Sequence, residues 1–150
     1  MDLPDPSTPV ACDMTTARDT PQQRLAEYRK LFAEALVGRE RTEVGIRFRF
    51  RADPGVEAWI RDLAEREKAC CAFFAFTIAV TSGEVLWDAA VIDNDAARAI
   101  LDEFYRLPET VAEGVEALQE RYVAHGLEFV GGQPSGVTKP PGRGGGRLPR

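Results

Sequence analysis

The 150-residue sequence contains no hydrophobic run long enough to cross a membrane, only one histidine and only three cysteines. A membrane-spanning helix needs about 20 predominantly apolar residues, so we expect no membrane partner. The short motifs of serine hydrolases, P-loop proteins, dinucleotide-binding proteins and zinc proteases are also missing. These absences exclude several common enzyme classes and leave the cysteines as the most informative residues.

The start of the chain lacks the features of a secretory signal. It begins with Met1-Asp2-Leu3-Pro4-Asp5, without the basic residues and the apolar stretch that such a signal needs. We therefore expect a cytoplasmic protein. In that compartment cysteine thiols stay reduced.

Charge is distributed unevenly along the sequence. The formal net charge is −5, but residues 131–150 contain four cations and no acid, so residues 1–130 carry −9. The glycine- and proline-rich composition of residues 131–150 predicts a disordered basic tail. An acidic folded part repels a phosphate backbone, so we do not expect a nucleic-acid partner.

The rest of the chain is expected to form one domain preceded by an arm. Residues 1–19 contain three prolines, which favour a flexible, extended arm that carries Cys12. A single domain is then predicted over residues 20–130. Thr20 and Gln23 have the spacing of a capping box, and we predict a helix from Pro21 to about Val37.

Hydrophobic periodicity predicts an α+β fold. Strict alternation indicates strands, and three- to four-residue spacing indicates helices. The predicted elements after the first helix are a strand over Thr42–Arg51, a helix over Pro54–Cys71, a hairpin of Phe73–Val80 and Val85–Ile92 through Ser82-Gly83, a helix capped by Asn94 or Asp95 and ended before Pro108, a helix that a capping box at Thr110 and Glu113 opens and that reaches about His125, and a strand over Leu127–Val130. This order is ferredoxin-like, with an extra N-terminal helix. We expect an antiparallel sheet with helices on one face.

The other sheet face is expected to carry Arg47, Arg49 and Arg51. Such a row of arginines is compatible with binding an anion or a nucleic acid. The neighbouring Glu43 and Asp88, together with the overall acidity, favour a solvated face or a homodimer formed through it.

The end of the Pro54–Cys71 helix places an acid beside two thiols. On a helical wheel, the residues within about 60 degrees of the centre of the apolar face are Val56, Ile60, Leu63, Glu67, Cys70 and Cys71. A carboxylate is costly there unless it is paired or solvated. One interpretation is structural: Glu67 reaches water or pairs with Arg66 or Lys68, and both cysteines only fill space in the core. The other is functional: Glu67, Cys70 and Cys71 line a pocket that Cys12 completes.

In the functional interpretation, Cys12, Cys70 and Cys71 bind a soft ion, namely Hg(II), Cu(I), Zn(II) or trivalent arsenic. Glu67, Asp13 or His125 would add an optional ligand. No C-x-x-C pair is present, so a structural zinc site is not expected. If the site is catalytic, Cys70 and Cys71 would act as thiolates, and Glu67 or Asp13 would donate the proton.

The three thiols are also compatible with redox chemistry, because Cys12 could form a disulfide with Cys70 or Cys71. Both vicinal thiols lie at a helix C-terminus, where the helix dipole and the charge of Glu67 disfavour a thiolate. A bound cation would reverse this effect. The sequence therefore favours metal capture over a free nucleophile.

A second hypothesis is a small-molecule enzyme or binding module. Its apolar pocket would lie between helix and sheet, with structural cysteines and with walls formed by Trp59, Phe74, Phe76 and Trp87. This pocket would hold an organic ligand or cofactor.

The segment Arg66–Phe76, followed by Val85–Asp88, resembles a small bacterial protein family with an E-x-x-C-C-x-F-F motif. A similar segment is attached to some mercury-resistance-type regulators. The resemblance covers about residues 41–107, and the Ala11–Met14 arm is similar to stand-alone members. It implies soft-metal or thiol chemistry at Cys70, Cys71 and Cys12. Ala72 stands where similar segments often have proline.

Overall fold

A computed structural model describes residues 1–130, and the predicted basic tail lies outside the described residues. The elements are β1 (Ala11–Asp13), α1 (Pro21–Ala35), β2 (Leu36–Arg41), β3 (Ile46–Arg51), α2 (Val56–Cys70), β4 (Phe74–Thr81), β5 (Glu84–Val91), α3 (Asp95–Tyr105), α4 (Leu107–Thr110), α5 (Val115–Ala124) and β6 (Glu128–Val130). The predicted α+β class is confirmed. None of the helices in this part of the chain is both long and apolar enough to cross a bilayer.

The main sheet is antiparallel, with the strand order β2-β3-β5-β4. A ferredoxin-like sheet would place the last strand, β6, beside β3. Here β2 occupies that edge, and β6 pairs in parallel with β1. The strand β2 was not predicted. The sequence predicts that the first helix reaches about Val37, but α1 ends at Ala35 and the chain continues directly into β2.

The hydrophobic core lies between one sheet face and the helices. Alternation in β3 buries Phe48, and Trp87 of β5 lies beside it. From the helices, Tyr28 stacks on Trp87, and Phe104 packs edge-on against Phe48. Aromatic contacts of this kind add about 0.5–1.5 kcal/mol each beyond the burial of their area. They fix α1 and α3 over the sheet.

The opposite sheet face carries the predicted arginines, and they are paired within the chain. Arg47 makes two hydrogen bonds to Asp88, of 2.7 and 2.9 Å. Arg49 contacts Glu84 and Glu40 at 3.0 and 3.1 Å. The charges of these two arginines are thereby balanced by acidic side chains of the same face.

The local sequence signals predicted the first helix cap and the β4–β5 turn correctly, but not the cap at Thr110. The capping box at Thr20 and Gln23 is present, and Ser82 and Gly83 form the β4–β5 turn with positive φ values of 50° and 79°. The predicted capping box at Thr110 is wrong. A single 3-10 turn follows α4, and α5 begins only after Gly114, whose φ of 97° suits glycine.

Candidate thiol site

The three cysteines meet where α2 ends. Cys70 is the last residue of α2, and Cys71 caps the helix. Cys12 lies in β1, where it pairs with Phe129 of β6. Cys12 and Cys71 form a disulfide with their Cα atoms 4.7 Å apart. Of the two pairings that the sequence left open for Cys12, the structure contains the one with Cys71.

The chain turns sharply between the two vicinal cysteines and β4. The backbone N–H of Cys71 donates to the Glu67 carbonyl at 2.8 Å, and the N–H of Phe74 donates to the Cys71 carbonyl at 3.1 Å. Lys68 holds the corner by donating to the carbonyls of Ala72 and Phe74, at 2.8 and 2.6 Å. Cys70 therefore belongs to the helix, whereas Cys71 starts the turn.

Arg24 of α1 links the Glu67 carboxylate to the Cys70 thiol. Its guanidinium donates twice to Asp19, at 2.6 and 2.7 Å, and once to the Glu67 carboxylate, at 2.9 Å. Its Nη2 atom lies 3.8 Å from the Cys70 sulfur. Arg24 is only 5% exposed, so these partners compensate for the burial of its charge.

The ion pairs extend along the contact between α1 and α2. Arg66 contacts Asp19 at 2.9 Å and Glu27 at 2.6 Å. Glu27 also accepts a hydrogen bond of 2.7 Å from the indole N–H of Trp59. Trp59 thus contributes to this network.

Cys70 is a buried free thiol in the described part of the chain. Burial raises its pKa, the positive charge of Arg24 opposes this shift, and the negative charge of Glu67 adds to it. The protonated thiol is therefore favoured, in agreement with the helix-end argument.

A partly open cavity of about 120 Å³ joins these groups. All three cysteines and Glu67 line it. The remaining wall is mainly apolar and includes Met14, Leu25, Phe74, Ile100, Phe104, Leu107, Leu118, Leu127 and Phe129. Two tyrosines, Tyr28 and Tyr122, also border the cavity, and burial raises the pKa of both hydroxyls.

Of the aromatic residues predicted to form the walls of an apolar pocket, one lies at this cavity and the others lie elsewhere. Phe74 lines the cavity, but Trp59, Phe76 and Trp87 are not among its lining residues. Trp87 is completely buried in the core.

The proposed auxiliary ligands apart from Glu67 also lie elsewhere. Asp13 is exposed and accepts hydrogen bonds from Thr15. His125 contacts the buried carboxylate of Glu103 at 3.1 Å. In this disulfide-bonded form, residues 1–130 contain no group of three His, Cys, Asp or Glu side chains arranged to hold a metal ion.

Sequence reasoning missed Arg24, although a signal was present. Arg24 precedes Tyr28 by four residues and Leu31 by seven, so it lies on the buried stripe of α1. A cation on one buried helix face and an acid on another are candidates for pairing. The structural interpretation expected Arg66 or Lys68 as the partner of Glu67, but the partner is Arg24.

No protein-family model, curated protein or solved structure matches this chain.

Proposed function

We propose that the reduced protein binds a soft metal or metalloid ion through Cys12, Cys70 and Cys71 and thereby sequesters or detoxifies it in the cytoplasm. The observation that carries this proposal is that three sulfur atoms, from segments 59 residues apart, border one cavity. Thiolates are the ligands that soft ions prefer.

The disulfide supports the proposal because it shows that Cys12 and Cys71 approach each other closely. Reduction leaves two adjacent thiols, with Cys70 on the wall of the same cavity. The cytoplasm maintains reduced thiols, so all three sulfurs would be free there. The disulfide-bonded form would be the inactive, oxidised state.

Glu67 has a supporting role in this proposal. Its carboxylate is held by Arg24 at 2.9 Å, and Arg24 also contacts the Cys70 sulfur. Cationic ions bind the deprotonated thiolate, so the thiol protons must leave. In this proposal Glu67, which lines the same cavity as Cys70, accepts the proton of the Cys70 thiol and need not bind the ion directly.

The test is equilibrium dialysis of the reduced protein against Hg(II), Cu(I), Zn(II) and arsenite, with the bound ion measured by elemental analysis. We expect one ion per chain for at least one of the four. The disulfide-bonded protein should bind much less, because two of the three sulfurs are joined.

Variants identify the ligands. Each of Cys12→Ser, Cys70→Ser and Cys71→Ser should weaken binding. The control His125→Asn should leave it unchanged, because His125 contacts Glu103 away from the cavity. Absence of stoichiometric binding to the fully reduced protein would contradict the proposal.

A second candidate function is binding of a small apolar molecule, which the largely apolar lining of the cavity favours. A dry cavity of about 150 Å³ in another protein holds benzene, and this cavity is of similar size. Fluorine NMR of fluorobenzene would show line broadening with the protein. Broadening that persists in Cys70→Ser and is lost in Leu118→Phe would support this candidate, and no broadening would reject it.

A further inference from the structure

We infer that the ion bound by the three cysteines is a trivalent metalloid of the arsenite class, held as a neutral three-thiolate complex, in preference to a divalent metal ion such as Zn(II). This inference rests on the proposed function and specifies its substrate.

The number of available donors favours arsenic over zinc. Zinc in protein sites usually has four ligands, whereas trivalent arsenic is saturated by three sulfurs. Within residues 1–130, the cavity offers three cysteine thiols, and the oxygen and nitrogen donors expected from the sequence already have partners within the chain. Glu67 is paired with Arg24, Asp13 with Thr15, and His125 with Glu103.

The net charge of the bound complex also favours arsenic. Three thiolates around a divalent ion carry a net charge of −1, while three thiolates around trivalent arsenic carry none. The cavity wall is mainly apolar, and burial of an unpaired charge there is costly. Arg24 does not supply the missing positive charge, because Asp19 and Glu67 already neutralise it.

Arsenite can react with three thiols in a balanced exchange that releases only water. Arsenite is the neutral acid As(OH)3 in neutral water, and three thiols replace its three hydroxyl groups. Three As–O bonds and three S–H bonds break, three As–S bonds form, and three water molecules leave. No electron is transferred and no net proton is released.

The test is isothermal titration calorimetry of the reduced protein with arsenite and with Zn(II), each in two buffers of different ionisation enthalpy. The heat of arsenite binding should be the same in both buffers, because no proton is exchanged. Zinc binding would release protons, since metal-bound cysteines must lose theirs. The reduced protein should bind arsenite at least tenfold more tightly than it binds Zn(II).

Two variants complete the design. Cys70→Ser removes one As–S bond and should weaken arsenite binding by about 100-fold, which is the upper end of the loss seen when only a supporting group is removed. Ala69→Ser, at an exposed neighbouring position, should bind like the original protein.

The outcomes separate the two proposals. Stoichiometric zinc binding that is tighter than arsenite binding and releases protons would overturn only the metalloid inference. Arsenite binding unaffected by Cys70→Ser would also overturn it. Failure of the reduced protein to bind any of the ions would overturn the proposed function as well.

Discussion

Arg24 and Asp19 are the charged residues whose removal should affect the site most. Arg24 is buried and lies between two carboxylates and a thiol. Asp19 is shared between Arg24 and Arg66. Buried pairs of this kind add little net stability when intact, but removal of one partner leaves an uncompensated charge.

Arg24→Met should therefore destabilise the protein strongly. The expected loss is about 3–5 kcal/mol of unfolding free energy, because Asp19 and Glu67 lose their shared partner. Urea unfolding measured by circular dichroism would determine it. The matched control is Arg18→Met, because Arg18 is 69% exposed and pairs with the half-exposed Asp62.

The control should change the unfolding free energy by no more than about 0.5 kcal/mol, since exposed ion pairs contribute little. Equal effects of the two substitutions would show that the Arg24 network is not buried in solution.

Asp19 should give the protein a defined pH dependence. Its hydrogen bond to Arg24 holds the pKa of the carboxyl below its ordinary value of 3.8. Since the folded-state pKa is depressed, the stabilisation is complete above pH 3.8 and disappears as the pH falls through the lowered folded-state pKa. The difference in stability between the original protein and Asp19→Asn should thus be largest near neutral pH and shrink in acid.

This pH dependence is measured by urea unfolding of both proteins over a series of pH values. A difference that stays constant down to strong acid would contradict the assignment of the ion pair to Asp19.

At the scale of elements, α1 begins with a capping box that the sequence predicted. The Thr20 hydroxyl accepts from the N–H of Gln23 at 3.1 Å, and the Gln23 side chain accepts from the N–H of Thr20 at 2.9 Å. Because α1 carries Arg24 and Tyr28, this cap fixes the first turn of the helix that borders the cavity.

Thr20→Ala should lower the unfolding free energy by about 1 kcal/mol, the usual cost of losing such a cap. Thermal and urea unfolding would both show the change. Thr16→Ala, at an exposed arm position before the helix, serves as the control and should have almost no effect. A loss of stability in the control as large as in Thr20→Ala would contradict the role of the cap.

The predictability of each element depended on how local its signal is. The β4–β5 turn was predictable because Ser82-Gly83 is flanked by two apolar runs. The strand β2 was not, because its pairing with β3 is non-local and its Gly38 also resembles a helix terminator. The start of α5 was missed because a short helix and a 3-10 turn replaced the expected cap at Thr110.

At the scale of the whole molecule, the disulfide joins the N-terminal arm to the end of α2. The linked residues are 59 apart in sequence. Apart from the disulfide, the arm is held by the short β1–β6 pairing and, at its end, by the ion pairs of Arg18 and Asp19. The oxidation state of Cys12 and Cys71 should therefore affect stability.

Reduction of this disulfide should lower the unfolding free energy by about 2–4 kcal/mol, because a cross-link restricts the unfolded chain. Urea unfolding with and without reductant measures the difference. Cys70→Ser retains the disulfide and should lose the same amount on reduction. An unchanged stability on reduction, in both proteins, would show that the cross-link contributes nothing.

The candidate site was only partly predictable from the sequence. Helical spacing placed Glu67, Cys70 and Cys71 on one face, because that relation is local. The pairing of Glu67 with Arg24 and the choice of Cys71 by Cys12 depend on how distant segments pack. Of the expected aromatic walls, Phe74 lines the cavity, whereas Trp87 fills the core and Trp59 joins an ion-pair network for the same reason.

The central claim, that the three cysteines bind one trivalent metalloid ion, is tested most directly by native mass spectrometry of the reduced protein with arsenite. The account predicts that each chain gains one arsenic atom and loses three hydrogens. That mass change counts all three thiols at once. A product that loses only two hydrogens and retains a hydroxyl group on arsenic, or no adduct at all, would contradict the claim.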